Sequence, residues 1–239
     1  MRVTNNIYVL SGGYFSAVGD FATLGDVYGI RTPQGIILVD CGVQKTGPAT
    51  IREALAYFDV QEPITHVILT HAHWDHCGGA KELQDAGAKI IVGKEDSHYC
   101  TNGGVNGMYS PFDDEHNFPA FTPDVTIDSD QTLELNGLNF EFIKIAGHTA
   151  GSMAIRIKID GKIVLFTGDA LQPEGTILDS VSLGWQGDPA FSRENIVNSM
   201  MKLMTYETDI ILPGHGKICL KNGTKLLRKA ARTAFLTLR

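Results

Sequence analysis

The chain's most informative stretch is Thr70-His71-Ala72-His73-Trp74-Asp75-His76-Cys77-Gly78-Gly79, which directly follows a β-branched apolar run at residues 66–69. It concentrates three imidazoles and a carboxylate within six positions. If the segment is extended, His71, His73 and Asp75 project to one side, because side chains alternate along a strand. A curl of the chain at the glycines then brings His76 round as well. That arrangement can serve two adjacent metal ions.

Working outward, three more ligand candidates lie where apolar runs end: His148 in Ala146-Gly147-His148-Thr149, Asp169 in Thr167-Gly168-Asp169, and His215 in Pro213-Gly214-His215-Gly216. Each stands beside glycine, which lets the backbone turn sharply and approach a metal closely. A closed structural zinc site favours thiolates, whereas a His and Asp set suits a site with open positions. Histidine and carboxylate ligands favour zinc, with iron and manganese as alternatives.

The runs themselves set the fold class. Strands are expected at residues 7–10, 36–39, 66–69, 90–92, 140–145, 154–159, 163–166 and 209–212, and helices at 48–58, 79–86, 192–205 and 226–238, with Ser192 as an N-cap. The class is α/β or layered α+β. Asn136-Gly137 and Asp160-Gly161 read as hairpin turns, so the sheet is expected to be mixed. Residues 94–126 and 171–191 show no clear period and read as long loops. No linker divides the chain, and residues 1–239 are expected to form one domain.

The ordered set H-x-H-x-D-H, then His, then Asp, then His resembles the metallo-β-lactamase superfamily over the whole chain. The resemblance implies a four-layer αββα sandwich and a dinuclear metal centre, two zinc ions being the first choice. It also implies ligand roles: His71, His73 and His148 for the first metal, Asp75, His76 and His215 for the second, and Asp169 as the bridge. Asp40, in Leu38-Val39-Asp40-Cys41-Gly42, matches an earlier acidic motif of the family that supports a ligand from behind. Two such ions lie roughly 3.5–4 Å apart and lower the pKa of a shared water toward about 7. Asp75 would orient that nucleophile and accept a proton.

Departures from subfamilies narrow the chemistry. Asp169 stands where class B β-lactamases carry cysteine, His73 stands where flavodiiron proteins carry glutamate, and both metal sites look complete, unlike the single-iron persulfide dioxygenases. Only 24 residues follow His215, fewer than the helical region with which glyoxalase II enzymes hold glutathione. Asp169 is followed by Ala170-Leu171 without the tyrosine associated with acyl-homoserine lactonases. The expectation is hydrolysis of an ester, thioester or lactone in a small molecule. The alternatives are phosphodiester cleavage on the same centre, then β-lactam hydrolysis or a non-catalytic binding module.

Composition agrees with a small-molecule substrate. The net charge of −7 opposes a nucleic-acid partner, which needs clustered positive charge. The basic residues Lys217, Lys221, Lys225, Arg228, Lys229 and Arg232 read as a solvated helix face. No apolar run is long enough for a membrane span and no secretory signal opens the chain, so a cytoplasmic location is expected. Cys41, Cys77, Cys100 and Cys219 form no C-x-x-C and read as buried free thiols. His66 reads as structural. His98 and His116 fall in the first long loop, where rim and surface roles both stand. Tyr109, Phe112, His116, Phe118 and Trp185 are the expected pocket residues, with Phe121 as further apolar surface.

Overall fold

In the strand Gly35–Val39 (β3), Ile36 and Leu38 enter one apolar core while Ile37 and Val39 enter another. A strand that is apolar on both faces must be covered on both faces, and the chain supplies the layers. The computed structural model describes residues 1–12, 25–104, 117–174 and 181–238.

The first sheet runs in the order β1 (Ile7–Ser11), β2 (Val27–Thr32), β3, β4 (Ile64–Ile68), β5 (Lys89–Gly93), β6 (Val125–Ile127). Its pairs are antiparallel up to β3 and parallel from there on. The second sheet is formed by β7 (Gln131–Leu135), β8 (Leu138–Lys144), β9 (Met153–Ile159), β10 (Lys162–Gly168) and β13 (Ile210–Pro213), ordered β13-β10-β9-β8-β7. Only its β10–β13 pair is parallel. A short antiparallel pair, β11 (Gln172–Pro173) and β12 (Val181–Ser182), stands apart.

The same alternation sorts the helices. Ile7, Val9, Ile37 and Ile91 of the first sheet meet Phe140, Phe142, Ile155 and Phe166 of the second in the central core. Leu38, Leu69 and Ile90 point outward to Ile51 and Leu55 of α1 (Gly47–Tyr57) and to Leu83 of α3 (Ala80–Asp85). On the far side, Leu165 and Ile211 pack with Met200 of α5 (Arg193–Leu203) and Leu227 of α6 (Gly223–Leu238). The result is the expected αββα order of layers. Ser192 caps α5 as expected, its hydroxyl accepting from the Asn195 N–H at 3.2 Å. Asn136, Gly137, Asp160 and Gly161 all have positive φ, as two-residue hairpin turns demand.

Several elements depart from the sequence reading. The segment after β4 is not extended throughout: Trp74–Cys77 form a helical turn, α2, with His73 as its extended N-cap. Hydrogen bonds from the His76 and Cys77 N–H groups to the His73 carbonyl close the turn. The strands β2, β6 and β7 were not anticipated, because Gly29 interrupts the first, the second has three residues, and the third alternates polar residues with only two leucines. Residues 94–126 hold a 3₁₀ turn at Lys94–Asp96, a short helix α4 (Ser97–Thr101) and the start of β6, all too short to show a period. Cys219 is half-buried, unlike the other three thiols. No helix among the described residues is long and apolar enough to cross a membrane.

Candidate metal centre

The sheets deliver their ligand candidates at one edge. Asp40 follows β3, residues 70–76 follow β4, and His148, Asp169 and His215 follow β8, β10 and β13. Parallel or twice-antiparallel strands end on the same side, so these loops converge.

They bring together two groups. His71, His73, His148 and Asp169 form one, and Asp75, His76 and His215 the other, the ligand atoms within each group lying within 4.8 Å of one another. The α2 turn does the sorting. His71 and His73 precede it and enter the first group, whereas the helical rotation of about 100° per residue carries Asp75 and His76 to the second. One-sided projection from a strand, as the alternation suggested, is therefore replaced by a strand exit followed by a helical turn.

Asp169 stands between the groups. Its Oδ2 lies 3.6 Å from His148 Nε2 and 3.4 Å from His215 Nε2, and its Oδ1 lies 3.5 Å from His76 Nε2. Asp75 Oδ2 lies 3.0 Å from His215 Nε2. Gly214 allows this closeness, since a Cβ there would collide with Asp169 Oδ1 and stand 2.7 Å from His76 Cε1.

Most of the rings are anchored at one nitrogen and turned inward at the other. His148 Nδ1 lies 3.0 Å from the Trp185 carbonyl, which can only accept, so Nδ1 carries the proton and Nε2 its lone pair. His76 Nδ1 donates to Asp40 Oδ2 at 2.8 Å, and His73 Nε2 donates to Asp188 Oδ2 at 2.9 Å. His71 Nδ1 meets the Thr70 hydroxyl at 3.0 Å, while its buried Nε2 has no hydrogen-bond partner among the described residues. Asp169 Oδ1 is likewise buried without a hydrogen bond. Two orphaned polar atoms deep in a His and Asp cluster are what metal ligands look like before the ion is added, and the donor set suits zinc.

Electrostatics separates the groups. Burial holds His71 well below the ordinary histidine range and lowers His148 to about 4, so both rings stay neutral and able to ligate. Around His76 burial works the other way from its neighbours, but Asp75, Asp169 and Asp40 outweigh it and raise the ring well above the usual value. Burial also opposes ionisation of Asp169, yet His215 and His76 hold its carboxyl well below the usual range.

Asp40 lies behind His76. Its Oδ1 accepts from the Thr70 N–H at 2.7 Å and its Oδ2 from the Thr70 hydroxyl at 2.8 Å, as well as from His76. These bonds hold it at φ 60°, a left-handed conformation that costs a non-glycine residue energy.

Three supporting aspartates were missed, two acting through their carboxylates and one through its backbone. Asp96 accepts from the Ala72 N–H at 3.0 Å, the Thr149 hydroxyl at 2.8 Å and the Gly151 N–H at 2.7 Å, stapling the His71–His73 loop to the His148 loop. Its signal was available: it is an acid just past a parallel strand, like Asp40. Asp26, pushed up to about 7 by burial, donates its N–H to the Gly214 carbonyl at 2.6 Å beside His215. Asp188 lies in the second irregular stretch and had no sequence signal.

Of the expected pocket residues, Tyr109, Phe112 and His116 lie outside the described residues. Phe118 does not line a wall; it is buried with Phe121 and Cys100 in the core outside the first sheet, ring centroids 6.0 Å apart in the phenylalanine pair. Trp185 is half exposed, its ring centroid 6.4 Å from that of His73. His98 is exposed, and its Nδ1 meets the Glu95 carbonyl at 2.7 Å. His66 lies in β4 with Nδ1 3.0 Å from the Thr65 hydroxyl.

Comparison with known proteins places this geometry. The family model for the metallo-beta-lactamase superfamily matches residues 21–215. Similar curated proteins include the probable metallo-hydrolase YflN of Bacillus subtilis, 28% identical over 87% of this chain and 88% of that one. The hydroxyacylglutathione hydrolase GloC of Haemophilus influenzae is 31% identical over 63% of this chain and 68% of its own. Among solved structures, BJP-1, a subclass B3 metallo-β-lactamase of Bradyrhizobium japonicum, superposes with a TM-score of 0.74 at 20% identity, covering 99% of this chain and 90% of that one.

Proposed function

The chain belongs to the metallo-β-lactamase superfamily and is a metal-dependent hydrolase; from that premise we propose that it holds two metal ions, zinc first, and cleaves an ester, thioester or lactone in a small molecule. The observation that carries the reading is the pair of ligand groups sharing Asp169, with inward-facing nitrogens and orphaned atoms at His71 and Asp169. His71, His73 and His148 would hold the first ion and Asp75, His76 and His215 the second, with Asp169 placed to serve both.

When bound, two such ions supply Lewis acidity and bring the pKa of water toward about 7. The residues do the rest. Asp75, buried in the second group, would orient the attacking water and take its proton. Asp40 and Asp188 hold His76 and His73 in the ligating tautomer, and Asp96 keeps the two loops of the first group in register. The hydroxyacylglutathione hydrolase relative favours an acyl, thioester-like bond.

A second reading, phosphodiester cleavage, has one supporting observation: an RNase J-like protein of Methanocaldococcus jannaschii is 28% identical over 64% of this chain and 37% of its own. The net charge of −7 weighs against a polyanionic substrate.

The test is metal analysis of the purified protein with a panel of lactones, thioesters, aryl esters, bis-aryl phosphodiesters and β-lactams. Close to two ions per chain, loss of activity on chelation, and fastest cleavage of an acyl substrate are expected. Full activity without metal would overturn the reading, and a preference for phosphodiesters under every metal would transfer it to the second.

A further inference from the structure

One short segment, residues 184–188, touches three members of the first ligand group. Gly184 lies so close to Asp169 that a Cβ would collide with the Asp169 carbonyl. The Trp185 carbonyl accepts from His148 Nδ1, and Asp188 Oδ2 accepts from His73 Nε2. Asp188 is itself fixed, because its Oδ1 accepts from the Ala190 N–H and its backbone carbonyl from the Phe191 N–H at 2.9 Å.

The same segment sets the indole beside the centre. Trp185 is 50% exposed, and its ring packs so tightly on Gly187 that a methyl there would collide with Cζ2 and Cε2. Gly187 thus seats the ring close to the backbone, on the side of the centre that carries His73. A seated aromatic offers apolar area at small entropic cost.

We propose that residues 184–188 form a collar with two duties: Asp188 is a positioning residue that directs His73 Nδ1 into the first metal group, and Trp185 is the specificity wall against which an apolar group flanking the scissile carbonyl lies. The identity of that group as an acyl substituent rests on the hydrolase reading above; the wall and the positioning role do not. Because one segment carries both, the substrate's apolar group would lie on the side of the centre that carries His73 and His148.

The test uses the zinc-loaded protein and three variants, Trp185→Ala, Gly187→Ala and Asp188→Asn. Affinities for phenylacetate and acetate are measured by calorimetry, without turnover, alongside zinc affinity by chelator competition and thermal melting. Trp185→Ala should lower the phenylacetate-to-acetate affinity ratio by about tenfold with zinc affinity retained. Gly187→Ala, which deletes no group and only displaces the indole, should do the same, and it guards against misfolding of the first variant. Asp188→Asn should weaken zinc binding by about 10- to 100-fold and leave the ratio unchanged. An unchanged ratio in both Trp185→Ala and Gly187→Ala would overturn the wall, and unchanged zinc affinity in Asp188→Asn would overturn the positioning role. A protein inert toward every acyl substrate that still shows the ratio and its loss would remove the hydrolytic reading and leave the collar standing.

Discussion

Neighbouring imidazoles in this centre are prepared for different states by their surroundings. His148 gives its Nδ1–H to a carbonyl and sits in a pocket whose burial brings it to about 4, whereas His76 faces Asp75, Asp169 and Asp40 and is raised well above 6.5. The linkage signs are opposite. His148 contributes stability to the metal-free fold that is lost as pH falls from about 6.5 toward 4, where only the unfolded chain takes up the proton. His76 contributes stability fully present below about 6.5 and lost as pH rises through its folded value. In metal-free protein, ring-nitrogen NMR should show His148 neutral at pH 5 and His76 still protonated at pH 7; a common midpoint near 6.5 would contradict both environments. Asp169 touches both groups, so Asp169→Ala should lower zinc content and reduce kcat by about 100-fold or more, while Lys225→Ala, on the exposed face of α6, should change neither.

At the scale of elements, the site depends on how short segments are tied together. The Asp96 carboxylate follows β5 in the first sheet yet accepts two bonds from the loop after β8 in the second. Asp96→Ala would leave the Ala72 and Gly151 N–H groups and the Thr149 hydroxyl buried without that acceptor. The expected cost is about 3 kcal/mol or more, read as a shift in the denaturation midpoint, with weakened zinc binding. A variant as stable as the parent would show that the staple is dispensable. This tie also marks how far the sequence could be read. His148, Asp169 and His215 were legible because each ends a β-branched run beside glycine, whereas Asp40 was reached only through the resemblance of Leu38-Val39-Asp40-Cys41-Gly42 to the family's earlier acidic motif. The turn Trp74–Cys77 was not legible, since four residues are too few for a helical period and the histidine spacing imitates a strand. Asp188 was illegible for another reason: its role depends on a tertiary approach to His73 across 115 residues of chain.

For the whole molecule, the decisive fact is that neither ligand group belongs to one sheet. His71 and His73 come from the first sheet and His148 and Asp169 from the second; Asp75 and His76 come from the first and His215 from the second. The sheets share an apolar core built from residues such as Ile37, Ile68, Phe140 and Phe166, so buried apolar surface already joins them. Ions bound at the shared edge would nevertheless hold the two halves together, and they bind the folded state far better than a chain whose ligands are dispersed over about 145 positions. Zinc at about 100 times its dissociation constant should therefore stabilise the protein by about 2.7 kcal/mol per site. For a chain of this size that corresponds to a rise in Tm of about 5–10 °C for the first ion bound. Melting the chelated protein and titrating zinc back should show the rise, and Asp169→Ala should abolish most of it. If chelation left Tm unchanged while zinc still bound with a full complement, the ligands would have to be as well organised in the unfolded chain as at the shared edge. That outcome would mean that metal binding is confined to one mobile loop, and the two-sheet clamp would be wrong.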